Sequence, residues 1–195
     1  MRGKLGTLLI CVGAAMVLAA AALFAWNWRE SNTAGELSDE VLPQLVEEIR
    51  ERKEAPVDPL SQQMTAVLVE GYEYVGFLSL PALGLELPVM ADWSEAQLKL
   101  SPCRYYGSVK GSDLVICAHN YSRHFGQLSA LTAGDSVNFT DMNGHVWQYE
   151  MAETAELPPN AVAEMTAGDF DLTLFTCTYG GAARVTVRCQ RTAAE

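Results

Sequence analysis

The residues best equipped for chemistry lie near the C-terminus. Leu172 to Arg188 reads Leu-Thr-Leu-Phe-Thr-Cys-Thr-Tyr-Gly-Gly-Ala-Ala-Arg-Val-Thr-Val-Arg. Two runs rich in apolar and β-branched residues, Leu172 to Thr176 and Arg184 to Val187, flank a Gly180-Gly181 break and read as two strands. Cys177 closes the first strand and Arg184 opens the second. If the strands pair as neighbours, a thiol and a guanidinium stand at the same end of a sheet. The thiolate is the reactive form of a cysteine, and a nearby cation favours it. Such a nucleophile needs a proton-transfer partner, normally a histidine from elsewhere in the chain.

The sequence offers three histidines. His119 directly follows the apolar strand Asp113 to Ala118. A strand end is held rigidly yet reaches solvent, which suits a reacting side chain. His124 lies in the next loop, Tyr121-Ser-Arg-His-Phe, where positioning is looser. His145 adjoins the Asn143-Gly144 turn and is expected to be exposed. His119 is therefore the candidate partner of Cys177. Cys117 shares its face by strand alternation, so it lines the site or packs in the core. Arg188 is the fallback cation, farther along its strand.

These side chains need a scaffold of short strands. Tyr74 to Leu80 and Leu83 to Val89 are apolar runs divided by Pro81 and Gly84. Val137 to Asp141 and His145 to Met151 alternate around Asn143-Gly144, a hairpin turn. Trp93 to Leu100 reads as a short helix capped by Ser94. Pro158-Pro159 opens a loop or short helical segment. Many short strands and few helices imply a mainly β fold, a closed antiparallel or mixed barrel.

The other end of the chain is different in kind. Leu5 to Trp28 is a run of 24 residues without a charge, enough to cross a hydrocarbon core of about 30 Å. Arg2 and Lys4 precede it, which keeps the N-terminus in the cytoplasm and sends the rest outside. An uncleaved anchor is expected, because the run exceeds a signal-peptide core. Cys11 does not make a lipobox, since Ile10 stands where a small residue is needed. Next, Val41, Leu42, Leu45, Val46 and Ile49 fall on one face of a helix opened by Asp39 and Glu40, with Pro43 in its first turn. Pro56 and Pro59 stop it. The helix packs on the domain's flank, touches a partner or is a solvated spacer. The organisation expected is a cytoplasmic segment (1–4), an anchor (5–28), a stalk (29–70) and a catalytic domain (71–195).

The formal net charge is −11, with no basic cluster, which excludes a nucleic-acid binder. Five cysteines occur without a CxxC pair or zinc spacing, so neither a metal nor any other cofactor is expected. The chain is large enough to build a core without a disulfide framework. Cys103, Cys117 and Cys189 read as small buried hydrophobes.

Leu172-Thr-Leu-Phe-Thr-Cys177 resembles the sortase motif, in which Thr-Leu-x-Thr-Cys ends a strand and an arginine opens the next. Ala118-His119-Asn120 resembles that family's Gly-His motif, with Ala at the Gly position. Phe125-Gly-Gln-Leu128, Leu131-Thr-Ala-Gly-Asp135, Gly76-Phe-Leu-Ser-Leu-Pro81 and Leu85-Glu-Leu-Pro-Val89 resemble family segments, in family order, over about Gly71 to Arg188. The resemblance implies an eight-stranded sortase β-barrel and cysteine transpeptidation at an extracellular membrane face. Cys177 is then the nucleophile, His119 the proton carrier and Arg184 the oxyanion or substrate clamp. Thr176 and Asn120 become substrate-binding or oxyanion support. The implied partners are secreted proteins bearing a C-terminal sorting signal, and an amine acceptor from peptidoglycan or a pilin lysine. The short link from Cys177 to Arg184 looks more like a class D or class B enzyme. Asp58-Pro59-Leu60 partly echoes a lid motif. Two alternatives use the same residues differently: a surface cysteine protease with water as acceptor, and a tethered binding module in which Cys177 is structural.

Overall fold

The structure is a computed structural model that describes residues 2–52 and 63–192. The proline stop at Pro56 and Pro59 and the Asp58-Pro59-Leu60 echo lie outside the described residues. The strands are β1 (Val67–Val69), β2 (Tyr72–Leu80), β3 (Leu85–Met90), β4 (Cys103–Tyr106), β5 (Leu114–Cys117), β6 (Ser136–Asp141), β7 (Val146–Leu157), β8 (Leu172–Cys177) and β9 (Arg184–Arg191). Their order is β1-β2-β3-β4-β5-β8-β9-β7-β6, and β6 pairs back onto β2. β2 through β9 thus close an eight-stranded barrel, with β1 added to the rim. Closure removes the unpaired edges of an open sheet. Pairing is antiparallel except at β3–β4 and β5–β8, which are parallel.

Closure depends on Gly76. Its φ is +149°, and a Cβ there would stand 2.1 Å from the Thr140 carbonyl oxygen. Only glycine lets β6 approach β2 at the bulge between Tyr74 and Gly76. The hairpin between β6 and β7 falls at Asn143-Gly144 as expected. The buried Asp141 carboxylate organises it, accepting from the Asn143 and His145 amides and from the Trp147 indole. His145 is exposed there.

The barrel wall carries apolar residues on both faces. Leu114, Ile116 and Ala118 of the β5 region point into the interior with Leu172, Leu174, Val187 and Cys189. The alternate residues Val115, Cys117 and Phe175 belong to a second cluster on the outside, with Met90, Cys103 and Met165. A strand buried on both faces reads as a continuous apolar run, as Leu114 to Ala118 does. The five cysteines are free, with Cys103, Cys117 and Cys189 buried.

The N-terminal element departs from expectation. A single helix, α1, runs from Arg2 to Arg52 through Pro43, about 75 Å long. An anchor helix and a separate stalk helix starting at Asp39 were expected. Pro43 removes the hydrogen bond to the Asp39 carbonyl. Both residues are exposed, so water can satisfy that carbonyl and the helix continues. The first part is long and apolar enough to cross a membrane. The second packs on the barrel: Val41, Leu45 and Ile49 join Val67, Val69 and Tyr74, while Val46 stays exposed. Each such burial contributes about 2 kcal/mol. Strand β1 starts ahead of the boundary placed at 71. With three residues, Val67 and Val69 buried and Leu68 out, its alternation is too short to read in sequence.

Candidate active site

Cys177 and Arg184 are directly opposite each other in the antiparallel β8–β9 pair, so both point outward from the barrel on one face. The connection that sets this register is tight. The Thr178 amide donates to Ala183 O at 3.0 Å, the Gly181 amide to Thr178 O at 2.9 Å, and the Ala183 amide to Thr178 Oγ1 at 3.0 Å. Gly180 and Gly181 have φ of +82° and +73°, a region costly for other residues. Tyr179, at the tip, is exposed. Arg184 donates from Nη1 to Gly181 O at 3.4 Å and Ala183 O at 3.3 Å, which folds its guanidinium back over the turn.

His119 arrives from the neighbouring strand. β5 runs parallel beside β8, pairing Cys117 with Phe175. The Ala118 amide donates to Phe175 O at 3.2 Å, and the buried Thr176 hydroxyl donates to Ala118 O at 2.8 Å. These bonds fasten the residue before His119 to the residue before Cys177. The Thr176 hydroxyl proton is thereby engaged inside the barrel wall, and does not face the cleft as an oxyanion donor.

Cys177, His119 and Arg184 line one cleft of about 240 Å³. Trp93, Tyr105 and Phe175 give it an aromatic side: Tyr105 meets Phe175 edge-on at 5.2 Å, and Trp93 lies 5.5 Å from Tyr105. Val162 and Met165 close the opposite side from a one-turn helix, α3 (Val162–Met165). Buried Arg188 holds that turn, donating to Glu164 O, Met165 O and Thr173 Oγ1. It is committed to scaffolding, away from the cleft. Cys117 lines the floor, and burial pushes its thiol far above the usual range. Asn120 is half-buried but does not line the cleft, so of the five expected site residues it is the one the fold leaves aside.

Burial lowers the pKa of His119, with the Glu95 charge opposing. Its imidazole is thus mostly neutral at pH 7. Glu95 opens α2 (Glu95–Leu98), whose first turn is capped by Ser94 Oγ accepting from the Gln97 amide at 3.2 Å. Sequence reading found the cap but not that Glu95 faces the cleft, because nothing local signals which way a one-turn helix points. His124, expected in a looser position, is fully buried with its ring at the Ala34 backbone of α1. Burial first, and then His119, lower its pKa to about 4. Among the described residues no cluster of His, Cys, Asp and Glu is arranged to hold a metal.

A closed barrel with a thiol at one strand end, faced by an imidazole and a guanidinium from adjoining strands, defines the sortase type of fold. A family model, the Sortase domain, matches residues 78–192, and the chain belongs to the sortase family. Solved structures agree in fold. Sortase C1 from Streptococcus agalactiae aligns with TM-score 0.58 and 19% identity, covering 85% of this chain and 96% of that one. Sortase C1 from Streptococcus suis aligns with TM-score 0.57 and 23% identity, covering 76% and 96%. A lid mutant of sortase A from Corynebacterium diphtheriae aligns with TM-score 0.57 and 19% identity, covering 81% and 97%. No curated protein matches the chain.

Proposed function

We propose that the chain is a membrane-anchored cysteine transpeptidase acting on secreted proteins that carry a C-terminal sorting motif. The observation that carries this reading is the opening of Cys177, His119 and Arg184 into one cleft. Neutral His119 accepts the Cys177 proton as sulfur attacks the peptide carbonyl of the motif. Arg184 stabilises the resulting oxyanion with its remaining guanidinium hydrogens, Nη1 alone being engaged within the described residues. Collapse breaks the C–N bond. The leaving amine takes the proton from the His119 imidazolium, and a thioacyl-enzyme remains. An amine acceptor then attacks the thioester and loses its proton to His119, and the thiol is regenerated. Thr176 acts by holding Ala118 and His119 in register rather than by binding substrate through its hydroxyl. The aromatic and aliphatic walls suit apolar side chains upstream of the scissile bond.

The apolar part of α1 supports membrane anchoring, with the catalytic domain on the outer face. The acceptor is a peptidoglycan amine or a pilin lysine; two of the structural relatives are sortases C by name. The test is mass spectrometry of the full chain incubated with Leu-Pro-x-Thr-like peptides, with and without an amine. A thioacyl adduct on Cys177 and an amine-dependent ligated product are expected. Cleavage without a ligated product at any amine concentration would move the chain to the protease reading. Absence of any adduct, with function intact in Cys177→Ala, would move it to the binding module.

A further inference from the structure

Among the described residues His119 has no hydrogen-bond partner of the kind that usually orients a reacting histidine. Among the described residues neither ring nitrogen has a hydrogen-bond partner, and Nε2 is buried. A base normally keeps its orientation through a hydrogen bond to a third group. What His119 has is a stacked ring: Tyr121 lies 4.9 Å away centroid to centroid, with an interplanar angle of 29°. Tyr121 is itself buried. Its hydroxyl donates to Glu30 Oε2 at 3.3 Å, and Glu30 belongs to α1, outside the barrel. Burial and the Glu30 charge raise the Tyr121 pKa to about 12, so the phenol stays protonated and keeps donating.

The loop carrying Tyr121 is fastened to the same stretch of α1. Ser31 and Ser122 share a hydroxyl hydrogen bond of 2.9 Å, and Arg123 pairs with Asp39 at 2.7 Å. Gly35 leaves the space for this pair, since a Cβ there would lie 2.2 Å from Arg123 Nε. Ser31, Ala34 and Ser38 are buried against the barrel. Small residues let a helix approach this closely; larger ones would hold it off the loop. These contacts span 84 to 91 positions of sequence, so local chain geometry does not impose them.

We propose that Tyr121 is a positioning residue for His119, its ring standing in for the missing hydrogen-bond orienter, and that Glu30 of the anchor helix sets Tyr121. The stretch from Glu30 to Asp39 is then a support behind the His119 loop rather than a spacer. This rests on the proposed proton-carrier role of His119. The charged and titratable groups around His119 are Glu30 from α1, Glu95 and Lys99 at α2, Arg123 and His124 from its own loop, and Cys177 and Arg184 across the cleft. Removing Glu30 therefore acts on the ring by position and by charge together.

The test uses the full chain in detergent or nanodiscs, with Tyr121→Ala, Tyr121→Phe, Glu30→Gln and His119→Ala. Acyl transfer is read as kcat and KM separately, and the imidazole resonances of the three histidines are followed against pH by NMR. Tyr121→Ala should lower kcat about 10- to 100-fold with KM within about twofold, the scale of a displaced catalytic group. It should also remove the ring-current shift from the His119 signal. Tyr121→Phe keeps the stacked ring and should restore kcat to within about fivefold of wild type, the scale of one hydrogen bond. Glu30→Gln should move the His119 midpoint downward, because a favourable negative charge is lost. Unchanged kcat in Tyr121→Ala beside an inactive His119→Ala overturns the inference and leaves the transpeptidase reading standing. An unshifted His119 resonance in Tyr121→Ala, or a Phe variant as slow as Ala, also overturns it. An active His119→Ala overturns the proton-carrier role instead.

Discussion

The two sides of the cleft are built by different means. Cys177 and Arg184 sit in one hairpin, separated by seven positions, and the main-chain ladder of β8 and β9 sets their register. His119 sits just past β5, where the main-chain ladder ends at the Ala118 amide on Phe175 O and side chains take over: the Thr176 hydroxyl on Ala118, the Tyr121 ring, and beyond these the α1 helix. The first side is local and set mainly by the backbone, so substitutions of Cys177 and Arg184 should change chemistry far more than stability. The second is assembled from distant segments, and there position and stability are coupled.

Cys177→Ala breaks the comparison most sharply. Acyl transfer should fall roughly 10⁴-fold or more, the scale of a lost nucleophile, with the thermal midpoint unchanged. A large loss of stability would show that the hairpin side is not independent of its side chains. Arg184→Lys should cost about 10²-fold in kcat, the scale of one oxyanion donor, again at wild-type stability. Lysine keeps the charge but not the planar fork, so single-turnover rates near wild type would show that charge alone suffices.

On the histidine side the expected effects reach stability. His124 has its pKa lowered from 6.5 to about 4 by burial. Protons bind more tightly in the unfolded chain, so its contribution is complete above pH 6.5 and is lost as the pH falls toward about 4. The full loss is roughly 3 kcal/mol. Urea titrations of wild type and His124→Gln from pH 7 to 4 should show a shallower pH dependence in the variant; parallel curves would contradict the burial. The smallest effect is expected from Thr176→Val. It leaves the buried Ala118 carbonyl without its 2.8 Å donor, costing about 1–2 kcal/mol. The kcat should fall with it, because His119 loosens. A stability loss with unchanged kcat would place Thr176 among purely structural residues.

How much could be read from sequence follows the same division. Cys177 opposite Arg184 was legible because two short apolar runs and a Gly-Gly turn leave few registers. His119 was legible as the residue ending a buried strand. The exposed His145 and the distant Arg188 were legible from a turn and from the distance along the strand. β4 was not seen: Cys103 to Tyr106 is four residues long, with Arg104 interrupting its apolar character. His124 was read as loosely held, since a loop sequence does not reveal that a helix some ninety positions earlier will cover it. The helix itself was divided at Asp39, because an exposed Pro43 reads as a start rather than as a tolerated interior position.

The sequence by itself determined the apolar run long enough to span a membrane, a barrel of short strands, and the three side chains that carry the proposed chemistry. Each follows from composition, periodicity or neighbouring positions. The tertiary structure decided that α1 continues alongside the His119 loop, that Thr176 is spent on Ala118, and that Asn120 stays out of the cleft lining. Those outcomes depend on contacts between segments far apart in the chain, and on small residues such as Ser31, Ala34 and Gly35. Such residues carry little hydrophobic signal, and they matter here because of the space they leave open.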